Sequence, residues 1–361
     1  MKYEWLVVGA GLAGCTCAER LSAAGRSVLL IDKRDEIGGN CADNDPTEAS
    51  YLQQYGPHIF HTNYEDAWDY LSRFTEWTDY VHRAVADVNG RLVPIPVNLN
   101  TIDELWPEYS LAVGNMGDCE FTIDELTGHK DEWLQCLGKR IYTTMFEGYS
   151  RKQWGEHWGD LDAKVLGRIP VRFNRNDNMF TDAHQGLPKH GYTAMCERLT
   201  ENVEVRLNTS FDSVNPGDYR IVYTGPLDEW FGCDRGRLPY RGVEFYYGNA
   251  SFVDWRSAAV INYPGGQPFT RSTDFRYMVD HDLCCNSNRV WEVPMEYEEG
   301  KSTQAYPVPT TQSAAMAAEY RSRADKLRPH VWFVGRLAEY RYYNMDEVVL
   351  RALGMTKELL G

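Results

Sequence analysis

Three glycines, Gly9, Gly11 and Gly14, stand directly after the apolar run Trp5-Leu6-Val7-Val8 and directly before a helical stretch that reaches about Ala24. In a strand–turn–helix unit the first glycine permits a tight turn, the second lets a pyrophosphate approach the backbone, and the third lets the helix pack on the sheet. The unpaired N–H groups and the dipole of that helix N-terminus favour an anion by roughly 0.3–1 kcal/mol. Asp32 closes the second apolar run, Val28-Leu29-Leu30-Ile31, where a carboxylate accepts hydrogen bonds from ribose hydroxyls. A glycine triplet alone is weak evidence, and a glycine-rich turn in an unrelated α/β protein is the plain alternative. The flanking strand, helix and acid make dinucleotide binding the expectation. A second pair, Gly38-Gly39, followed by Asn40, offers another close backbone approach for a cofactor lying across the domain, which favours FAD over NAD.

Those residues need a sheet to hold them, and the chain supplies one in pieces. Its 361 residues, 43% apolar and 25% charged, have ordinary globular composition and suffice for about two domains. Helical periodicity covers 65–74. Between Thr101 and about Leu166 the pattern is mostly helical, with starts at Thr101 and Thr122, each followed by an acid three positions on. Short strands around Val203–Val205 and Ile221–Tyr223, several more over 240–295, and a helix over 311–327 follow. A buried-type strand near Val331–Val334 and a helix from about Met345 then complete the nucleotide-binding sheet.

A net charge of −15 repels nucleic acid and anionic lipid, so a phosphate ligand must meet a local cluster of Arg or Lys. No run approaches the roughly 18 apolar residues of a membrane span. The N-terminus lacks a leader pattern, so a cytoplasmic location is expected. Nine cysteines without a C-x-x-C pair or a zinc-type spacing point to reduced thiols and to no metal, with Cys284-Cys285 the one pair considered for reactivity. The 23 tyrosines and 11 tryptophans suit stacking on sugars and bases as well as core filling.

Several segments are more specific: Ile37-Gly38-Gly39-Asn40, residues 55–62 (YGPHIFHT), residues 148–155 (GYSRKQWG), residues 168–173 (RIPVRF), Tyr223-Thr224-Gly225-Pro226, and residues 335–343 (GRLAEYRYY). Together they resemble the bacterial flavin-dependent UDP-galactopyranose mutases over nearly the whole chain. The resemblance implies an α/β protein with a Rossmann-like FAD-binding domain, a helical insertion and an antiparallel β-sheet substrate domain. It divides the chain into a discontinuous FAD domain (1–80, 185–232, 315–361), a helical domain with a mobile lid at its end (98–168), and a substrate sheet (81–97, 169–184, 233–314). The implied reaction is a pyranose-to-furanose contraction of a nucleoside-diphosphate sugar with no net redox change, in which reduced flavin N5 attacks the anomeric carbon. FAD is active when reduced by NAD(P)H or another reductant; a homodimer and a role in cell-surface polysaccharide synthesis are also implied.

Residue by residue, the resemblance assigns Arg168 and Arg271 to clamping the diphosphate and His58 to the flavin-facing loop. It assigns Tyr149, Ser150, Trp154, Met179, Phe180, Asn262, Tyr306, Tyr342 and Asn344 to the substrate. Cofactor contacts fall on Gly9, Gly11, Leu12, Gly14, Asp32, Lys33, Gly38, Gly39, Asn40, His58, Ile59, Gly335, Arg336 and Met345. Taken singly, an arginine is more often a surface ion pair, and an aromatic or histidine more often core. This sequence departs from the family at Met179, where a tyrosine stacks on uracil, at Asn344, where an aspartate is usual, and over residues 272–276. These departures touch the base and the sugar, so a mutase of a related nucleotide sugar is the nearest alternative. An amine-oxidase-like flavoenzyme and a flavin-binding protein without activity are the more distant ones.

Overall fold

Trp5–Val8, buried at every position, is the central strand of a five-stranded parallel sheet. The strands run in the order Val331–Phe333, Arg220–Tyr223, Trp5–Val8, Val28–Ile31, Glu204–Arg206. Such strands are covered on both faces, which is why Trp5–Val8 and Val28–Ile31 read as unbroken apolar runs instead of alternating ones. The computed structural model describes residues 2–46, 51–155, 170–217, 219–248, 258–279, 289–308 and 310–361.

The chain folds as two units, one of Met1–Tyr80, Asp182–Tyr240 and Ala305–Gly361, the other of Val81–Thr181 and Arg241–Gln304. In the first unit the helix Leu12–Ala23 follows the central strand, and the last helix, Met345–Leu360, packs along it. The strand expected near Val331 pairs in parallel with Ile221–Tyr223 and so extends the nucleotide-binding sheet. Phe60–Thr62 and His184–Gly186 form a separate antiparallel pair.

The second unit is built on strands in the order Tyr240–Gly248, Arg289–Glu296, Arg271–Asp274, Val260–Asn262, Ala84–Val88, Arg91–Ile95. One pair departs from the expected antiparallel pattern: Val260–Asn262 runs parallel to Ala84–Ala86. Pro94 lies inside the last strand, at the sheet edge, where its missing N–H costs no ladder bond. The helix expected from Thr101 begins earlier, at Leu99. Asn98, fully buried, accepts from the N–H groups of Asn100 and Thr101 at 2.9 and 3.2 Å and is the true cap. The start at Thr122 forms as read, with Glu125 returning a hydrogen bond to the Thr122 N–H at 2.7 Å. Farther on, Glu132–Ile141 passes through a π-helical turn, Tyr142–Phe146, into the helix Glu147–Trp154.

The helix Leu12–Ala23 can lie on the first strand only because Gly14 has no side chain: a Cβ there would stand 1.8 Å from the Gly9 carbonyl oxygen. Gly14→Ala is expected to cost ~1–3 kcal/mol by overpacking, read as a lowered thermal midpoint. Gly114→Ala, where a Cβ meets nothing within 4 Å, is the control and should leave that midpoint unchanged or slightly raised.

Candidate active site

The first unit brings the predicted cofactor residues into one cradle. Gly9 turns the chain at φ +100°, and a Cβ there would lie 2.1 Å from the Thr224 hydroxyl oxygen. Gly11 is the N-cap of the first helix, Leu12 its first residue. No side chain caps this N-terminus, and its first turn carries no acid, which leaves the orphan N–H groups of a helix start without a capping acceptor. Across from it, Gly38 donates to the Ala10 carbonyl at 2.9 Å, and a Cβ on Gly39 would stand 2.8 Å from the Gly11 Cα. Asp32 fastens the same loop, accepting from the Ala10 N–H at 2.6 Å and from the Arg34 N–H at 2.8 Å. The guanidinium of Arg34 in turn donates to the Asn40 side-chain oxygen at 2.8 Å. Lys33 is exposed.

Gly335, at φ +103°, faces Ala13 of the first helix, 3.1 Å from where its own Cβ would be. Beside it Arg336 is anchored by two bonds to the Tyr343 carbonyl, at 3.2 and 2.6 Å. Its guanidinium carbon lies 5.7 Å from the ring of Tyr306 and 5.3 Å from that of Tyr342. Those rings stack on each other at 5.6 Å and 8°. Two phenols and a guanidinium thus converge, a donor set suited to phosphate oxygens. His58 donates from Nδ1 to the Gly56 carbonyl at 2.9 Å, since a carbonyl can only accept. Gln53, fully buried, accepts from the His58 N–H and donates to its carbonyl at 3.2 Å, so it holds both sides of the loop that carries Ile59. Asn344 and Met345 open the last helix, where Glu347 accepts from the Asn344 N–H at 2.7 Å.

In the second unit Arg271 stands opposite Asn262 on one side and Glu292 on the other. Its Nε donates to the Glu292 carboxylate at 2.6 Å; the Glu292 side chain is 4% exposed and the Arg271 side chain 24%. Farther along the strand, Asp274, fully buried, accepts two bonds from Arg276, at 3.0 and 2.7 Å, with Arg289 3.5 Å away. Burial pushes the Arg289 pKa down, and the Asp274 charge works against that. Tyr149, Ser150 and Trp154 share the helix Glu147–Trp154, the last two buried. Met179 donates from its N–H to the His82 carbonyl at 2.9 Å, and Phe180 stacks on the His82 ring at 5.8 Å and 25°. Arg168 lies outside the described residues, as do Cys284 and Cys285.

Comparison with known proteins gives these residues a context. The family described as UDP-galactopyranose mutase matches residues 144–342, and residues 7–74 match an NAD(P)-binding Rossmann-like domain. The "Probable UDP-galactopyranose mutase" of Klebsiella pneumoniae is 35% identical, over 99% of this chain and 94% of its own length. The chain belongs to the UDP-galactopyranose mutase family. It is a nucleotide-sugar mutase, hence an isomerase. The dTDP-fucopyranose mutase of Escherichia coli is also similar, at 31% identity over 96% of both chains. A solved reduced UDP-galactopyranose mutase shares the fold, with TM-score 0.69 at 16% identity over 99% of this chain and 96% of its own.

Family likeness and local geometry meet at residues that motif reading passed over. Glu292, Gln53 and Lys152 each fix a predicted site residue or its loop; Glu292 and Gln53 lie in no quoted motif, and Lys152 stands inside the 148–155 segment without a role of its own there. The signal for Glu292 was an acid in the interior of the strand Arg289–Glu296, between Trp291 and Val293. Asn344 sits at a helix N-cap, where Asn and Asp serve about equally, so this departure keeps the helix start and removes only a charge. Among the described residues no helix is long and apolar enough to cross a membrane, and no His/Cys/Asp/Glu group could hold a metal ion.

The Arg271–Glu292 pair is buried on the acid's side, so removing the arginine strands a charge. Arg271→Ala is expected to lower the free energy of unfolding by ~3 kcal/mol or more in a denaturant titration. Adding Glu292→Gln to it should restore part of that loss; equal stability of single and double variants would contradict the coupling.

Proposed function

We propose that the chain interconverts UDP-galactopyranose and UDP-galactofuranose with reduced FAD, the first unit serving as the FAD domain and the second carrying the helical segment and the substrate sheet. The observation that carries this reading is Arg271 held by a buried carboxylate beside Asn262, a fixed cation in a protein of net charge −15. The cradle fits the cofactor: an uncapped helix N-terminus without acids and two glycine turns with no room for a side chain between them suit a pyrophosphate. Gly9, Gly11, Leu12, Gly14 and Gly38–Asn40 would hold the dinucleotide phosphates, Asp32 and Lys33 the adenosine side, and His58, Ile59, Gly335, Arg336 and Met345 the flavin side.

When bound and reduced, a flavin would supply an electron-rich nitrogen as the nucleophile for the sugar's anomeric carbon. The chain's own residues orient and neutralise. Arg271, with Arg168 from the segment that ends the helical domain, receives the departing diphosphate, and Tyr306 and Tyr342 donate to its oxygens. Tyr149, Ser150, Trp154 and Asn344 bound the sugar; Met179 and Phe180 bound the base. A homodimer of such chains, reduced by NAD(P)H or another donor, is part of the same reading.

Met179 supports a second reading. A thioether packs on a base less selectively than a phenol, and a relative named dTDP-fucopyranose mutase lies at 31% identity. A thymidine-linked sugar is the substrate in that case. The test is dithionite-reduced protein incubated separately with UDP-galactofuranose and dTDP-fucofuranose, with products separated by chromatography. Isomerisation only after reduction, faster with the uridine substrate, is expected; a preference for the thymidine substrate favours the second reading, and peroxide release without isomerisation overturns both. Arg168→Ala should lower turnover by about 10²-fold or more and leave the bound flavin spectrum unchanged.

A further inference from the structure

Lys152 lies in the helix Glu147–Trp154 and spends all its donors on one loop. Its ammonium donates to the carbonyl oxygens of Tyr263, of Gly265 at 2.9 Å and of Phe269 at 3.1 Å. Three acceptors match the three N–H groups of a protonated amine; a neutral amine has only two. One turn earlier on the same helix face, Gly148 meets the same loop so closely that a Cβ would stand 2.1 Å from the Pro264 carbonyl oxygen. The loop is itself closed by the Tyr263 N–H on the Thr270 carbonyl at 2.8 Å, and its two ends continue into Asn262 and Arg271. The helix is pinned at its C-terminus too. Arg241 donates to the carbonyls of Gln153 at 2.8 Å and Lys152 at 3.1 Å. Burial pushes the Lys152 pKa down to about 8.

We propose that Lys152 is a positioning residue for the mutase reaction: it clamps the 263–270 loop onto the helix that carries Tyr149 and Trp154, and so sets the backbone from which Asn262 and Arg271 reach the diphosphate. This rests on the reading given under Proposed function. The loop contains Pro264-Gly265-Gly266-Gln267-Pro268, and neither glycine brings a side chain of its own to fix it. Without the ammonium, three carbonyl oxygens lose their shared donor and the Arg271 backbone gains freedom. A displacement of about 1 Å at such a group can cost roughly 10²-fold in rate.

The test uses the full chain loaded with FAD and reduced, as wild type and as Lys152→Met. Amide exchange over 262–272 is expected to rise about tenfold in the variant with little change elsewhere. UDP affinity and turnover should each fall about tenfold or more, while the flavin spectrum stays the same. Unchanged exchange in that segment would overturn the proposal, and so would faster exchange with unaltered UDP affinity and turnover, since the lysine would then be a tether only. If Lys152→Met fails to fold, Lys152→Gln, which keeps two N–H donors, should give intermediate values, and wild-type values from it would overturn the proposal equally. Wild-type protein that binds neither UDP nor dTDP would sink the mutase reading itself, a result distinct from any behaviour of the variants.

Discussion

No side chain fits between the two glycine turns of the first unit, and the rest of that unit is arranged around this exclusion. Gly39 lies against Gly11, and Gly14 against Gly9, each closer than a Cβ permits. The contact leaves the N-terminus of the first helix open and bare of acids, with Asp32 fastening the turn from below. A parallel sheet supplies the rigidity. Its central strand is buried at every residue, so the turn is anchored in the least deformable part of the unit.

The second unit solves a different problem, that of fixing a cation on a strand of an acidic protein. An arginine alone would either wander or collapse onto a surface carboxylate. Arg271 is instead paired with Glu292, whose buried carboxylate fixes the arginine's position against the neighbouring strand. The Arg271 side chain keeps 24% of its exposure, and on the same strand the fully buried Asp274 accepts from Arg276 with Arg289 3.5 Å away.

The departures from the family pattern fall where the fold can absorb them. Asn344 keeps its place at a helix start, and Met179 keeps its backbone bond to His82 while Phe180 retains an aromatic partner. Neither change removes the backbone bond that holds its segment.

The cradle was legible in the sequence because it is local: Gly9, Gly11, Gly14, Asp32 and Gly38-Gly39 lie within about 30 residues, and spacing alone states what they must do. The capping box at Thr122 was legible for the same reason. Asn98 was not, because its role as a cap shows only once the helix start is seen to precede Thr101. Glu292 meets Arg271 through strand pairing, Lys152 meets residues over a hundred positions away, and the parallel run of Val260–Asn262 beside Ala84–Ala86 joins segments no pattern connects. The sequence by itself determined the nucleotide turn, the helices with local caps and the family; only the tertiary structure decided which buried groups hold the reactive ones, because hydrogen-bond partners distant in the chain leave no periodic or spaced signature.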